Sequence, residues 1–150
     1  MRDLSIVLIV GIALFVSGCG GKDAPPRSAL AEQLAQFCDS ARADVEALGL
    51  PAEMGFKVMR PTAVIGLRLA RQIKGLDGAT PAERGQVASL AEYYRFYWAE
   101  IAAAAKLYEA GHPEIYGITI DRAKGSLASA EALATRMGAP ECAVRAFPDA

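Results

Sequence analysis

Residues 80–111 read TPAERGQVASLAEYYRFYWAEIAAAAKLYEAG, and this stretch decides the fold class. Thr80 and Glu83 stand three apart with Pro81 between them, the pattern of a capping box with proline at the first helical position. Beyond it Val87, Leu90, Tyr94, Tyr97, Ile101, Ala105 and Tyr108 recur at three- and four-residue intervals, which gathers them on one helical face. Gly111, followed by Pro113, closes the run. The spacing predicts a helix of roughly 30 residues, about 45 Å long at 1.5 Å per residue.

The rest of the chain has the same character on either side of this helix. Ser28 is a good N-cap for a first helix carrying Leu30, Leu34, Phe37, Ala41, Val45 and Leu48 and stopping at Gly49. A second is expected from about Pro61 to Gly75 with Thr62, Ile65, Leu69 and Ile73 inward. A fourth is expected from about Thr119 to Met137, showing Ile120, Ala123, Leu127, Ala130, Ala134 and Met137 and closed by Gly138. From residue 19 onward the chain has 29 alanines but only 15 residues of Val, Ile and Thr together. That favours close-packed helices over sheet. Four amphipathic helices with short connections predict an all-α, antiparallel four-helix bundle over residues 28–150.

The first 27 residues have a different character. Leu4 to Val16 is apolar except at Ser5 and Gly11, too short to cross a ~30 Å hydrocarbon core but suited to a signal-peptide core. Val16-Ser17-Gly18-Cys19 resembles the lipobox of bacterial lipoproteins. The resemblance covers residues 1–19 and implies cleavage after Gly18 and acylation of Cys19, leaving residues 1–18 as signal peptide. Two or more acyl chains make a stable membrane anchor. Residues 19–27, the lipidated cysteine and a Gly/Pro-rich stretch, are expected to act as a flexible tether reaching no more than roughly 25 Å. The implied location is the bacterial cell envelope, facing the periplasm or exterior. Gly20 stands where an aspartate retains some members of that family in the inner membrane, which favours an outer membrane in a diderm host.

Export bears on the other two cysteines. Cys38 lies in the middle of the first helix and Cys142 just beyond the fourth, and in an oxidising compartment an even count points to a disulfide. The bundle topology lets the C-terminal tail fold back to reach Cys38. The alternative is a buried, chemically silent thiol at Cys38.

Chemistry-bearing motifs are scarce. His112, the one histidine, sits in a Gly-His-Pro turn, and no ligand spacing for zinc, haem or calcium is present, so neither metal nor cofactor is expected. There is no nucleophile elbow or phosphate-binding glycine loop. Glu92 and Glu100 read as an exposed helix face, and Asp121 as compensation of the dipole at the start of the fourth helix. No catalytic residue is assigned. The balance of 16 Lys+Arg against 17 Asp+Glu gives no global field for nucleic acid.

Two surfaces remain as binding candidates. Between Glu53 and Asp77 there is no acidic residue, while Lys57, Arg60, Arg68, Arg71 and Lys74 supply five positive charges, most of them opposite the apolar stripe of the second helix. They read either as a ridge facing anionic headgroups or as a solvated face paired with the acidic first helix. On the third helix Phe96, Ala99, Ala103 and Leu107 lie opposite the main stripe, with Tyr93 and Trp98 at the borders. They read either as core under a neighbouring element or as a patch for a partner protein. The sequence is thus expected to encode a non-catalytic, membrane-anchored interaction or assembly protein, similar in architecture to small helical pilotin-type lipoproteins. The competing expectation is a bundle that lines an interior pocket with Tyr93, Tyr94, Tyr97, Trp98 and Tyr108 to hold a small apolar ligand.

Overall fold

The structure, a computed structural model, describes residues 27–49 and 56–144. The expected signal peptide, Cys19 and the expected tether up to residue 26 lie outside the described residues. Among the described residues four helices and a short 3-10 turn follow in order: α1 Ala29–Ala47, α2 Phe56–Lys74, α3 Pro81–Glu109, α4 Pro113–Arg136, and the turn Pro140–Cys142. Among the described residues there is no strand. The described residues form an all-helical four-helix bundle, with α3 at its centre packed along both α2 and α4. A connection of three residues between α3 and α4 forces those two antiparallel.

The α3 capping box is complete. Thr80 Oγ1 accepts from the Glu83 amide at 3.1 Å, and the Glu83 carboxylate accepts from the Thr80 amide at 2.9 Å. Six of the seven expected stripe residues are buried; Tyr108, near the C-terminus, is exposed. Trp98, read as a border residue, is instead fully buried. Its indole lies across Gly66 of α2, and a helix position lacking Cβ allows that approach.

Helix α2 begins five residues before the expected Pro61, which lies inside it. Proline there removes the bond to the Lys57 carbonyl and costs about 3 kcal/mol. The extra turn buries Val58 and Met59 in return, and Thr62 donates its hydroxyl to the carbonyls of those same residues at 2.8 and 3.0 Å. The expected inward set of Thr62, Ile65, Leu69 and Ile73 is buried throughout.

Helix α4 begins at Pro113, six residues before Thr119, with His112 as N-cap. Asp121 is therefore two turns into the helix and pairs with Lys124 at 3.3 Å; Glu114 occupies the first turn. In α1 the Ser28 hydroxyl caps the Ala31 amide at 3.1 Å. The buried line is Ala31, Leu34, Ala35, Cys38 and Ala41, while Leu30, Phe37, Val45 and Leu48 are only partly covered.

Helices α1 and α4 make no direct close backbone approach; the 3-10 turn touches both. Gly138, at φ +83°, turns the chain out of α4. Ala139, Cys142 and Val144 then run back along α1 with at most 2% exposure. This strap fills the fourth edge of the bundle.

Candidate functional site

The strap is fastened at several points. Cys38 and Cys142 are joined as a disulfide, their Cα atoms 5.0 Å apart and both side chains fully buried. Arg42 donates to the Glu141 carbonyl, and Arg27 pairs with the Glu141 carboxylate. Hydrogen bonding to its own backbone amide, with Arg27 second, holds the Glu141 carboxyl below its ordinary pKa. Under the strap lies Tyr94, whose hydroxyl is buried beside the Val144 backbone without a well-aligned hydrogen bond. Burial, more than the nearby Glu131 charge, pushes the Tyr94 pKa well above the ordinary tyrosine value.

The basic residues share the outer face of α2, as their spacing implies. The flanking helices neutralise two of them: Arg68 pairs with Asp44 of α1, and Arg60 with Glu109 of α3 at 3.3 Å. Arg71 and Lys74 in the last turn, and Lys57 in the first, have no carboxylate within ion-pair distance among the described residues. Val64 stands among these cations with 64% exposure.

The second face of α3 is solvent-exposed. Phe96 retains 40% exposure, Ala99 and Ala103 are exposed, and Leu107 is half-buried. Glu100, expected in solvent, is mostly covered and faces Arg122 of α4 at 4.0 Å. That contact ties the outer faces of the two helices into one seam. On the Arg122 side of α4, Ile118 stands one turn before it and Ile115 two turns before it, 61% and 43% exposed, and they continue the apolar strip of α3 toward the α3–α4 turn. These two isoleucines were not anticipated, because the expected start of α4 at Thr119 placed both in a loop. An i, i+3 pair of isoleucines directly after Pro113 was the available signal.

Of the five aromatics proposed to line a pocket, Tyr94, Tyr97 and Trp98 are buried within the core cluster. The Tyr97 and Trp98 rings meet edge to face with centroids 4.7 Å apart. Tyr93 and Tyr108 lie at the surface. A shallow cleft of about 480 Å³ between the end of α2 and the start of α3 is lined by Lys74, Leu76, Asp77, Arg84, Val87 and Glu92, with Ala88, and by none of these rings. Glu92 accepts from Arg95, which lowers its pKa. His112 stands at the α3–α4 turn with its Nδ1 3.5 Å from Glu114. Among the described residues no group of three or more His, Cys, Asp or Glu gathers to hold a metal ion, and no helix is long and apolar enough to cross a membrane.

No family model matches the chain, and comparison with curated proteins and with solved structures finds none similar to it.

Proposed function

We propose that this chain is a lipid-anchored protein of the bacterial envelope that works without catalysis, as an interaction or assembly module, through the apolar seam between α3 and α4. One observation carries the reading. Phe96, Ala99, Ala103 and Leu107 share a helix face whose only covering is partial, and Ile115 and Ile118 extend it onto the neighbouring helix. A folded bundle gains nothing by leaving such side chains together in water, and a contiguous exposed apolar strip is what a protein partner covers. The lipobox-like Val16-Ser17-Gly18-Cys19 supports anchoring through Cys19, and Gly20 after it favours an outer membrane in a diderm host. The resemblance to pilotin-type lipoproteins is one of architecture. A small-ligand pocket draws less support, because three of the five aromatics are engaged in core packing.

Photo-crosslinking in native membranes tests this reading. A benzophenone residue at position 96 or 118 is expected to give a discrete protein adduct that a label at Lys124, on another side of α4, does not give. Equal labelling from all three positions defeats it.

A further inference from the structure

Resting on the anchored reading above, we infer that the outer face of α2 is the side of the bundle that lies against the bilayer, with anionic lipid headgroups as its partner. Charge is the first argument. Helix α2 has no acidic residue in its 19 positions. Asp44 and Glu109 neutralise two of its cations, leaving Lys57, Arg71 and Lys74 with none of the described carboxylates in ion-pair range. Glu92, the carboxylate that Lys74 influences, is already held by Arg95 at 2.7 Å. Val64, the most exposed large apolar side chain among the described residues, sits in the middle of this face. An apolar residue flanked by lysines and arginines is the pattern of a helix lying in a headgroup layer.

Reach is the second argument. Gly138 packs beside Ala31, which brings the end of α4 to the start of α1. The start of α3 lies at that same end because α3 and α4 are antiparallel, and the six residues 75–80 join it to Lys74. Arg71 and Lys74 therefore lie in the half of the bundle from which the chain runs to Cys19. The eight residues 20–27 span at most roughly 25 Å, close to the ~28 Å length of a 19-residue helix. A bilayer held at Cys19 is within reach of the whole α2 face. Each basic residue at an anionic surface contributes about fivefold in partition. The seam used above lies toward α4, on the opposite flank of α3, and stays open in this pose.

The test places a nitroxide at Val64→Cys in the full chain on phosphatidylcholine vesicles with and without phosphatidylglycerol. Both an acylated Cys19 and an uncleaved apolar leader hold the chain to a vesicle, so the label is read in either form, with Cys19→Ser in the uncleaved one so that position 64 alone takes the nitroxide. The intact mass reports the anchor separately. Collisions with bilayer-dissolved oxygen are expected to rise at position 64 only when phosphatidylglycerol is present, and not at a label replacing Ile118. R71E/K74E is expected to lower the surface-docked population by at least roughly 25-fold, from the fivefold contribution of each charge. A label at 64 that stays equally wet on both vesicles overturns the inference and leaves the face to a soluble acidic partner.

Discussion

The indole of Trp98 occupies the space where Gly66 lacks a side chain: a Cβ built on Gly66 falls 1.9 Å from Trp98 Cδ2 and 2.1 Å from Cε2. The contact locks α2 to α3 at the centre of the bundle, with the ring fully buried. Neither helix can yield locally, so Gly66→Ala is expected to cost about 3 kcal/mol or more, at or above the upper range of overpacking, and to lower the melting temperature by roughly 10 °C or more. Gly85→Ala and Gly125→Ala, where nothing lies within 4 Å, are expected instead to stabilise by up to about 1 kcal/mol through helix propensity. Thermal unfolding of the three variants checks the contrast, and equal effects would contradict the packing described.

The strap makes a second prediction. The Cys38–Cys142 bond closes a loop with a sequence separation of 104, for which the chain-entropy account gives roughly 4 to 5 kcal/mol as an upper value. Cys142→Ala, or reduction of the unfolded chain before refolding, is expected to lower stability by several kcal/mol. It should also remove hydrogen-exchange protection first from residues 139–144 and then from the Leu34 and Tyr94 region beneath them. Two reactive thiols in the folded protein without reductant would contradict the bridge.

Tyr94 predicts alkaline sensitivity. Its pKa is raised by burial from an unfolded value near 10, so the stability it contributes is complete below about pH 10. That stability falls as pH rises above this value, because the unfolded chain ionises first. Tyr94→Phe removes a buried hydroxyl that lacks a well-aligned partner. It is expected to be neutral or to stabilise by up to about 1 kcal/mol near neutrality and to flatten the loss above pH 10. Denaturant unfolding at several pH values reads both effects.

The α3–α4 seam predicts the opposite of core behaviour. Phe96→Asp and Ile118→Asp are expected to change stability by no more than about 0.5 kcal/mol, whereas Trp98→Ala, on the buried face of the same helix, should cost about 3 to 5 kcal/mol. Circular dichroism melts decide it. Unfolding by Phe96→Asp would make that face core and remove the basis of the proposed interaction.

How much of this was legible in the sequence follows from which residues speak through local rules. The capping box at Thr80 and the stripe from Val87 to Ile101 depend on near neighbours, and α3 was read within two residues at its end. The Cys38–Cys142 bond was expected from an even cysteine count in an exported chain, with topology only permitting the approach and a free Cys38 left open; the structure joins the two. Pro61 misled because its intrinsic preference for a first turn was overridden by burial of Val58 and Met59, a gain that exists only in the packed bundle. The opening turns of α4 were missed because Ile115 and Ile118 face solvent and so supply no inward stripe. The Gly66–Trp98 contact joins residues 32 positions apart in sequence, and no periodicity announces which glycine a tryptophan will cover. On α2, spacing identified the basic face, but only the packed helices reveal that Asp44 and Glu109 claim Arg68 and Arg60.

The position of the bundle relative to a bilayer depends on the proposed anchor. The most direct test of that anchor is the intact mass of the chain extracted from the membranes of a bacterial host. The predicted result is a chain that begins at Cys19, lacks residues 1–18 and carries a diacylglyceryl group on the sulfur. A chain that retains Leu4 to Val16, or one with an unmodified Cys19, would contradict it.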